Sequence, residues 1–203
     1  MWTHRVFPIP DFLLFYFLRM YVLCPGDITD VVCLISSAGA WSGRPFTSVV
    51  ACADATIRVI EGSSIAYEVH LNSVPIALYL FMGDGGHTKQ LVLYGTRDGK
   101  LGLIDLKPKE GEIKWELRTS SSGGITAIKC YPFTGSDYPD IIVGKDDGVL
   151  EIYTVDSEDN ATLNGVYHCE ESITGVDCGR ITSEDEDEIV ACTYTGECWT
   201  SLA

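Results

Sequence analysis

Ile141-Ile142-Val143-Gly144-Lys145-Asp146-Asp147-Gly148-Val149-Leu150-Glu151-Ile152-Tyr153 reads as two short β-runs folded about a tight turn. The flanking runs are rich in the β-branched and aromatic residues that suit a pleated surface, and Asp147-Gly148 tolerates the positive φ of a hairpin turn. The phrase recurs at residues 91–104 about Asp98-Gly99 and at residues 189–199 about Thr195-Gly196. A weaker copy at residues 49–60 carries Ala55 where the others have glycine. Ala55, Gly99, Gly148 and Gly196 stand 44, 49 and 48 residues apart.

A second landmark keeps the same period. Ile28, Ile76, Ile125 and Ile173 open four apolar runs and are separated by 48, 49 and 48 residues. Chance matches of a turn dipeptide would not carry a second feature along with them. Self-similarity at about 40 to 50 residues, with several strands in each unit, points to the blades of a β-propeller. Each unit holds an entering strand, a polar loop of variable length, the hairpin and a last strand. Alternation in the last strands puts Ile65, Tyr67 and Val69 on one face in the first unit, and Ile113, Trp115 and Leu117 on one face in the second. No segment sustains an apolar i, i+3, i+4 pattern, so the fold class expected is all-β.

The units fall at residues 25–73, 74–122, 123–171 and 172–203, and the fourth stops just after its hairpin. The expectation is three full four-stranded blades plus most of a fourth. Propellers usually close with about four to eight blades, so the reading is a partial ring, an open arc, and part of a longer protein. Each sheet has two partly apolar faces that only its neighbours can cover. Val143, Leu150, Ile152 and Val190 are the residues expected at the contacts between blades, with Trp115, Trp199 and Tyr153 packed there as well.

Composition excludes some function classes. Lys and Arg number 14 against 29 Asp and Glu, for a net charge of −15, and a surface of that sign repels a phosphate backbone. Neither nucleic acid nor an anionic membrane is an expected direct partner. The acidic excess gathers in runs such as Ser183-Glu184-Asp185-Glu186-Asp187-Glu188, which read as solvated loops. Eight cysteines, Cys24, Cys33, Cys52, Cys130, Cys169, Cys178, Cys192 and Cys198, lie mostly inside apolar runs without a Cys-x-x-Cys pair. They read as reduced core residues, and zinc spacing is missing. The sequon Asn160-Ala161-Thr162 would matter only in a secreted chain.

Residues 1–24 fall outside the repeat as an apolar extension. Phe12 to Leu18 is continuously apolar but Arg19 interrupts it, and a membrane-spanning helix needs about 20 mostly apolar residues. A secretory signal is the alternative, with Arg5 as its basic region, although no small-x-small cleavage site follows. That alternative would make the chain a secreted or surface-attached binding module with residues 1–24 as its targeting segment.

Catalytic chemistry finds little purchase. His4, His70, His87 and His168 are scattered, no Gly-x-Ser-x-Gly elbow occurs, and His168 and Cys169 adjoin on one strand so that their side chains diverge. Gly83-Asp84-Gly85-Gly86 lacks the Lys-Ser/Thr of a phosphate-binding loop and reads as a blade connector. Ser136-Asp137-Tyr138-Pro139-Asp140 and Glu184-Asp185-Glu186-Asp187-Glu188 lack the glycine bend and regular spacing of a calcium loop. The reading is therefore non-enzymatic, with no catalytic, cofactor-binding or metal residues assigned. A metal-dependent hydrolase built on the acidic loops is the minority alternative.

Particular words then occur in order: Gly26-Asp27-Ile28-Thr29-Asp30-Val31-Val32-Cys33-Leu34, Asp98-Gly99-Lys100-Leu101-Gly102-Leu103-Ile104, Lys114-Trp115-Glu116, Gly123-Gly124-Ile125, Val143-Gly144-Lys145-Asp146-Asp147-Gly148-Val149-Leu150-Glu151-Ile152-Tyr153 and Asp187-Glu188-Ile189-Val190-Ala191-Cys192-Thr193-Tyr194-Thr195-Gly196. Over residues 25–203 the chain resembles the amino-terminal β-propellers of the seventh Bardet–Biedl syndrome family, whose members are subunits of the BBSome. The resemblance implies a WD40-like propeller truncated at both ends and a non-catalytic protein-interaction scaffold in ciliary membrane-protein trafficking and ciliogenesis. Its implied partners are other BBSome-type propeller subunits, with ciliary membrane-protein cargo engaged indirectly and the membrane touched only through the complex. The implied location is the cytoplasm, the cilium, the basal body or centrosome, and the periphery of the ciliary membrane.

Overall fold

The structure, a computed structural model, describes residues 3–5, 31–37, 47–61, 64–81, 91–181 and 184–202. Apolar alternation between turn signals produces strands throughout, and they gather into four sheets of four. The first holds β2 (Val31–Ser37), β3 (Thr47–Cys52), β4 (Thr56–Glu61) and β5 (Ser64–His70). The second holds β6 (Pro75–Phe81), β7 (Leu91–Thr96), β8 (Lys100–Leu106) and β9 (Gly111–Arg118). The third holds β10 (Ile125–Tyr131), β11 (Asp140–Lys145), β12 (Val149–Val155) and β13 (Ala161–His168). In each the order follows the chain and every pairing is antiparallel.

The fourth sheet departs from this order. β14 (Ile173–Gly179), β15 (Glu188–Thr193) and β16 (Cys198–Leu202) repeat the pattern, and the outer place is taken by β1 (Thr3–Arg5) from the other end of the chain. Thr3 pairs with Thr200 and Arg5 with Cys198. The strand missing from the fourth repeat is therefore supplied by residues that carry no trace of the repeat. The rest of residues 1–24 lies outside the described residues, as do Ile28 and Gly83-Asp84-Gly85-Gly86.

Inner strands carry the sheets from one to the next: β2 packs on β6, β6 on β10 and β10 on β14. Among the described residues no comparable contact returns from β14 to β2, so the stack is open. Period-two alternation assigns the faces. Val92 and Tyr94 of β7 join Val49, Ala51, Ile57 and Val59 between the first and second sheets. Leu91 and Leu93, pointing the other way, join Ile141, Val143 and Tyr153 between the second and third. Ile142, Leu150 and Ile152 meet Ile173, Ile189 and Ala191 between the third and fourth. Strands β7 and β11 are buried along their whole length, because sheets cover them on both sides.

Val143, Leu150 and Ile152 lie at the contacts foreseen for them, and Tyr153 and Trp115 join the core between the second and third sheets. Val190 does not: Ile189 and Ala191 make the contact, and alternation turns Val190 to the far face of the last sheet. The side chain of Trp199 lies outside the described residues.

A β-bulge interrupts the outer strand of each of the first three sheets, and it corrects the reading of those strands. Tyr67 pairs with Val59 but Ile65 pairs with Ile60, so Ala66 is extra and Ile65 is turned from the face of Tyr67. The same shift separates Ile113 from Trp115 and recurs in the third sheet at Leu163. Ile65, Ile113 and Leu163 consequently stand 42%, 40% and 44% exposed at equivalent places on successive rims. Every inner strand has its own bulge near its start, at Val32, Ile76, Thr126 and Thr174.

Candidate functional site

Strand direction brings two sets of loops to one end of the stack. The hairpin turns at 53–55, 97–99, 146–148 and 194–197 lie beside the connections that lead into the second, third and fourth sheets, at 71–74, 119–124 and 169–172. Gly99, Gly148 and Gly196 take φ values of 76°, 80° and 87°, and Ala55 is held at 62° in the same conformation. At Gly148 a Cβ would sit 2.5 Å from the Cys169 carbonyl oxygen, so glycine there answers both to backbone angle and to space.

The two middle turns are bonded on both sides in the same way, and the first and last turns on one side each. Leu71, Thr119 and Cys169 donate their N–H groups to the carbonyls of Ala55, Gly99 and Gly148. Arg97, Asp146 and Tyr194 donate theirs to the carbonyls of Val74, Gly124 and Ser172. The turn thus clips the end of its own outer strand, or that of the preceding sheet, to the connection that enters its sheet.

Side chains repeat the clip. Ser121 Oγ donates to Asp147 Oδ2 at 2.5 Å, and Gly124 N–H donates to Asp146 Oδ1 at 2.7 Å. Asp98 takes the equivalent bond from Ser73. In the fourth sheet the polarity is reversed, with the Thr195 hydroxyl donating to the Glu171 carboxylate. Burial pushes the Asp98 and Asp147 carboxyls up, yet the hydroxyl and backbone donors outweigh it and both end below the ordinary carboxylate range. In the first sheet Arg58 bridges Asp54 at 2.6 Å and Glu68 at 2.7 Å.

Beneath the third turn lies a buried ionic network that the sequence reading missed. Lys145 and Glu151 are both fully buried, with Nζ 3.5 Å from Oε1. Lys145 Nζ also donates to Thr119 Oγ1 at 2.6 Å and the Ser121 carbonyl at 2.8 Å. Glu151 Oε1 accepts from Ser120 N–H at 3.0 Å and Ser120 Oγ at 2.6 Å, while the Tyr153 hydroxyl donates to Oε2. All of these partners lie in the third sheet or in the connection that enters it, so the network fixes residues 119–121 to the hairpin. The available signal was a lysine and a glutamate inside otherwise apolar β-runs, where charge must be paired to be buried.

Other polar bridges join neighbouring sheets. Lys129 Nζ lies 2.6 Å from Asp177 across the inner strands β10 and β14. Lys114 Nζ reaches Asp159 Oδ2 at 2.7 Å, and Trp115 Nε1 donates to the Asp159 carbonyl at 2.7 Å, tying the second rim to the third. The Tyr131 hydroxyl donates to Asp187 Oδ1 at 3.0 Å.

The acidic segments behave differently from each other. Asp140 is not solvated: it is fully buried, and its carboxylate accepts from Thr134 N–H at 2.7 Å and Thr134 Oγ1 at 2.9 Å, which pins the loop before β11. Glu188, at the equivalent place, is also buried. Glu184, Asp185 and Glu186 are exposed as expected. Among the described residues no group of three or more His, Cys, Asp or Glu side chains is placed to hold a metal ion. His70 and His168 are exposed, and His168 diverges from buried Cys169. The His4 side chain and His87 lie outside the described residues, as do the side chains of Cys24 and Cys33. Cys52, Cys130, Cys169, Cys178, Cys192 and Cys198 are free thiols, with Cys130, Cys169 and Cys178 packed into the cores. No described helix is long and apolar enough to cross a membrane.

The clipped turns form one face of the stack, with the Asp98 and Asp147 carboxylates held as oriented acceptors. The fold has solved relatives. The chain superposes with a TM-score of 0.63 on the BBS1 amino-terminal domain crystallised with ARL6, at 16% identity, over 85% of this chain and 47% of that one. It matches the WD40 β-propeller of Doa1 equally well, at 19% identity over 85% of this chain and 50% of that one. Those likenesses establish a WD40-like propeller fold. In sequence the chain is 51% identical over 174 residues to the BBSome complex member bbs-7 of Caenorhabditis elegans, covering 86% of this chain and 24% of that protein. It is 35% identical over 177 residues to the BBSome complex member BBS7 of Mus musculus, covering 87% and 24%. The chain spans about a quarter of the length of these curated relatives. The family model of the BBS7 beta-propeller matches residues 19–202, nearly the whole sequence, and the chain belongs to that family.

Proposed function

We propose that the chain serves as a non-catalytic protein-interaction scaffold, the propeller portion of a BBSome-type subunit acting in ciliary membrane-protein trafficking and ciliogenesis. One observation carries the reading: 51% of the 174 aligned positions are identical to those of a BBSome complex member. The rigid turn face supports it, since donors and acceptors there engage one another rather than converge on a pocket. Residues 25–203 form the propeller portion, in units 25–73, 74–122, 123–171 and 172–203. Other BBSome-type propeller subunits are the direct partners, cargo is reached through the complex, and the charge of −15 makes nucleic acid a poor partner. The working locations are the cytoplasm, the cilium, the basal body and the periphery of the ciliary membrane.

Co-expression of the tagged chain with the remaining BBSome subunits tests this. Recovery of a second propeller subunit in stoichiometric amount is the expected result. A folded chain, shown by its β circular dichroism, that retains none of them overturns the proposal.

A further inference from the structure

At one cross-strand pair of each hairpin the first three sheets follow a rule. Ala51 faces Ile57, Gly95 faces Leu101 and Gly144 faces Leu150: a small residue opposite a large aliphatic one. The small residue leaves room for the next sheet, since a Cβ at Gly95 would lie 2.3 Å from Ile125 Cγ2, and one at Gly144 would lie 2.6 Å from Ile173 Cγ2. In the fourth sheet the pair is Cys192 and Cys198, and their sulfurs are 3.3 Å apart.

The backbone around them suits a bond. Thr193 N–H donates to the Glu197 carbonyl and Gly196 N–H to the Thr193 carbonyl, so 193 and 197 close the turn as the hydrogen-bonded pair. Cys192 and Cys198 are the next pair along, the non-hydrogen-bonded kind, in which Cα atoms approach to about 4.5 Å. That separation lies within the range of disulfides, about 4.4 to 6.8 Å, so the link needs no movement of the strands. Both side chains lie on the face of the sheet away from Ile189 and Ala191. Cys192 is half-buried and Cys198 buried, so an oxidant meets Cys192 first.

We propose that Cys192 and Cys198 form a redox modification site, a thiol pair that a hydroperoxide closes to a cross-strand disulfide. The Cys192 thiolate attacks the peroxide, forming S–O as O–O breaks and hydroxide leaves. The Cys198 thiolate then attacks the Cys192 sulfur, forming S–S as S–O breaks and a second hydroxide leaves. The two thiol protons convert both hydroxides to water, so two thiols and one hydrogen peroxide give one disulfide and two waters. Burial, then the neighbouring Cys198, push the Cys192 thiol up to about 11, so the thiolate is scarce at neutral pH and closure is slow there.

The test uses the 203-residue chain treated with hydrogen peroxide, blocked with an alkylating reagent and mapped by mass spectrometry without reduction. The expected product is a Cys192–Cys198 linked peptide that dithiothreitol reverses, formed about tenfold faster per pH unit from 7 to 10. A dimedone probe should label Cys192 at least about tenfold more in Cys198→Ser than in the parent chain, because the second step is lost. Recovery of either thiol free, its pairing with a different cysteine, or stable sulfinic acid at Cys192 in the parent chain overturns the proposal. If Cys198→Ser fails to fold, the linkage map of the parent chain decides alone.

Discussion

Two residues show how single positions depart from the repeat. Ala55 occupies the left-handed turn place that glycine fills in the other three hairpins, at φ 62°. For a residue with a Cβ that conformation costs about 1 to 2 kcal/mol, so Ala55→Gly should raise the stability of the chain by roughly 1 kcal/mol, read as a higher urea midpoint at unchanged slope. The anomaly was legible in the sequence as the one hairpin without glycine. The Lys145–Glu151 pair was not, because sequence shows two charges in apolar runs without showing that both point inward. Replacing Lys145 by Met alone should destabilise by about 3 to 5 kcal/mol, since Glu151 is left buried without its cation. The double replacement Lys145→Met with Glu151→Leu should recover most of that loss, and equal costs for single and double variants would refute the pairing.

Strands and turns were foreseen where period and chemistry agreed, and missed where a single extra residue intervened. Ile141-Ile142-Val143 and Val149-Leu150-Glu151-Ile152-Tyr153 fall inside β11 and β12, and the entering strands began within one residue of the foreseen places in the last three sheets. Facing was harder. A bulge flips every residue beyond it, and nothing in Ile65-Ala66-Tyr67 or Ile113-Lys114-Trp115 marks its position. The inner-strand bulge does carry a chemical mark in two sheets. Thr126 Oγ1 donates to the Gly144 carbonyl at 3.1 Å and also to the Ile173 carbonyl, and Thr174 Oγ1 donates to the Cys192 carbonyl at 3.1 Å. The single Thr126 O–H is thus shared between a gap in its own ladder and the next sheet. Thr126→Val, which keeps the shape and removes the hydroxyl, should cost about 1 to 3 kcal/mol, with hydrogen exchange quickened at the start of β14.

Across the whole molecule, electrostatics set a pH window. Asp98 and Asp147 are held below the ordinary carboxylate range, so their stabilisation is present above about pH 4, the unfolded value, and is lost as pH falls through the lower folded values. At the other limb, the Asp177 carboxylate beside Lys129 holds its ammonium above the ordinary lysine value, a contribution present below about pH 10.4 and lost as pH rises through the folded value. Burial likewise holds the Cys130 and Cys178 thiols above their ordinary value, so the urea midpoint should be flat only from about pH 5 to about pH 8 and fall on either side. Asp147→Asn should flatten the acid limb; an unchanged limb would remove Asp147 from the account. The architecture at this scale was legible almost entirely, since a period of 44 to 49 residues kept by two landmarks admits few other folds. What escaped it was β1, because three residues outside the repeat cannot announce a partner almost two hundred positions away.

That partner has a topological corollary. Thr3 beside Thr200 sets strands from far-separated parts of the sequence side by side, a juxtaposition that tolerates circular permutation. Joining Met1 to Ala203 through a short glycine-serine tether, and opening the backbone at Gly135 in the loop before β11, should preserve all four sheets. The rearranged polypeptide would make the β1–β16 pairing local but set β10 and β11 at opposite ends of the chain, and so should refold more slowly.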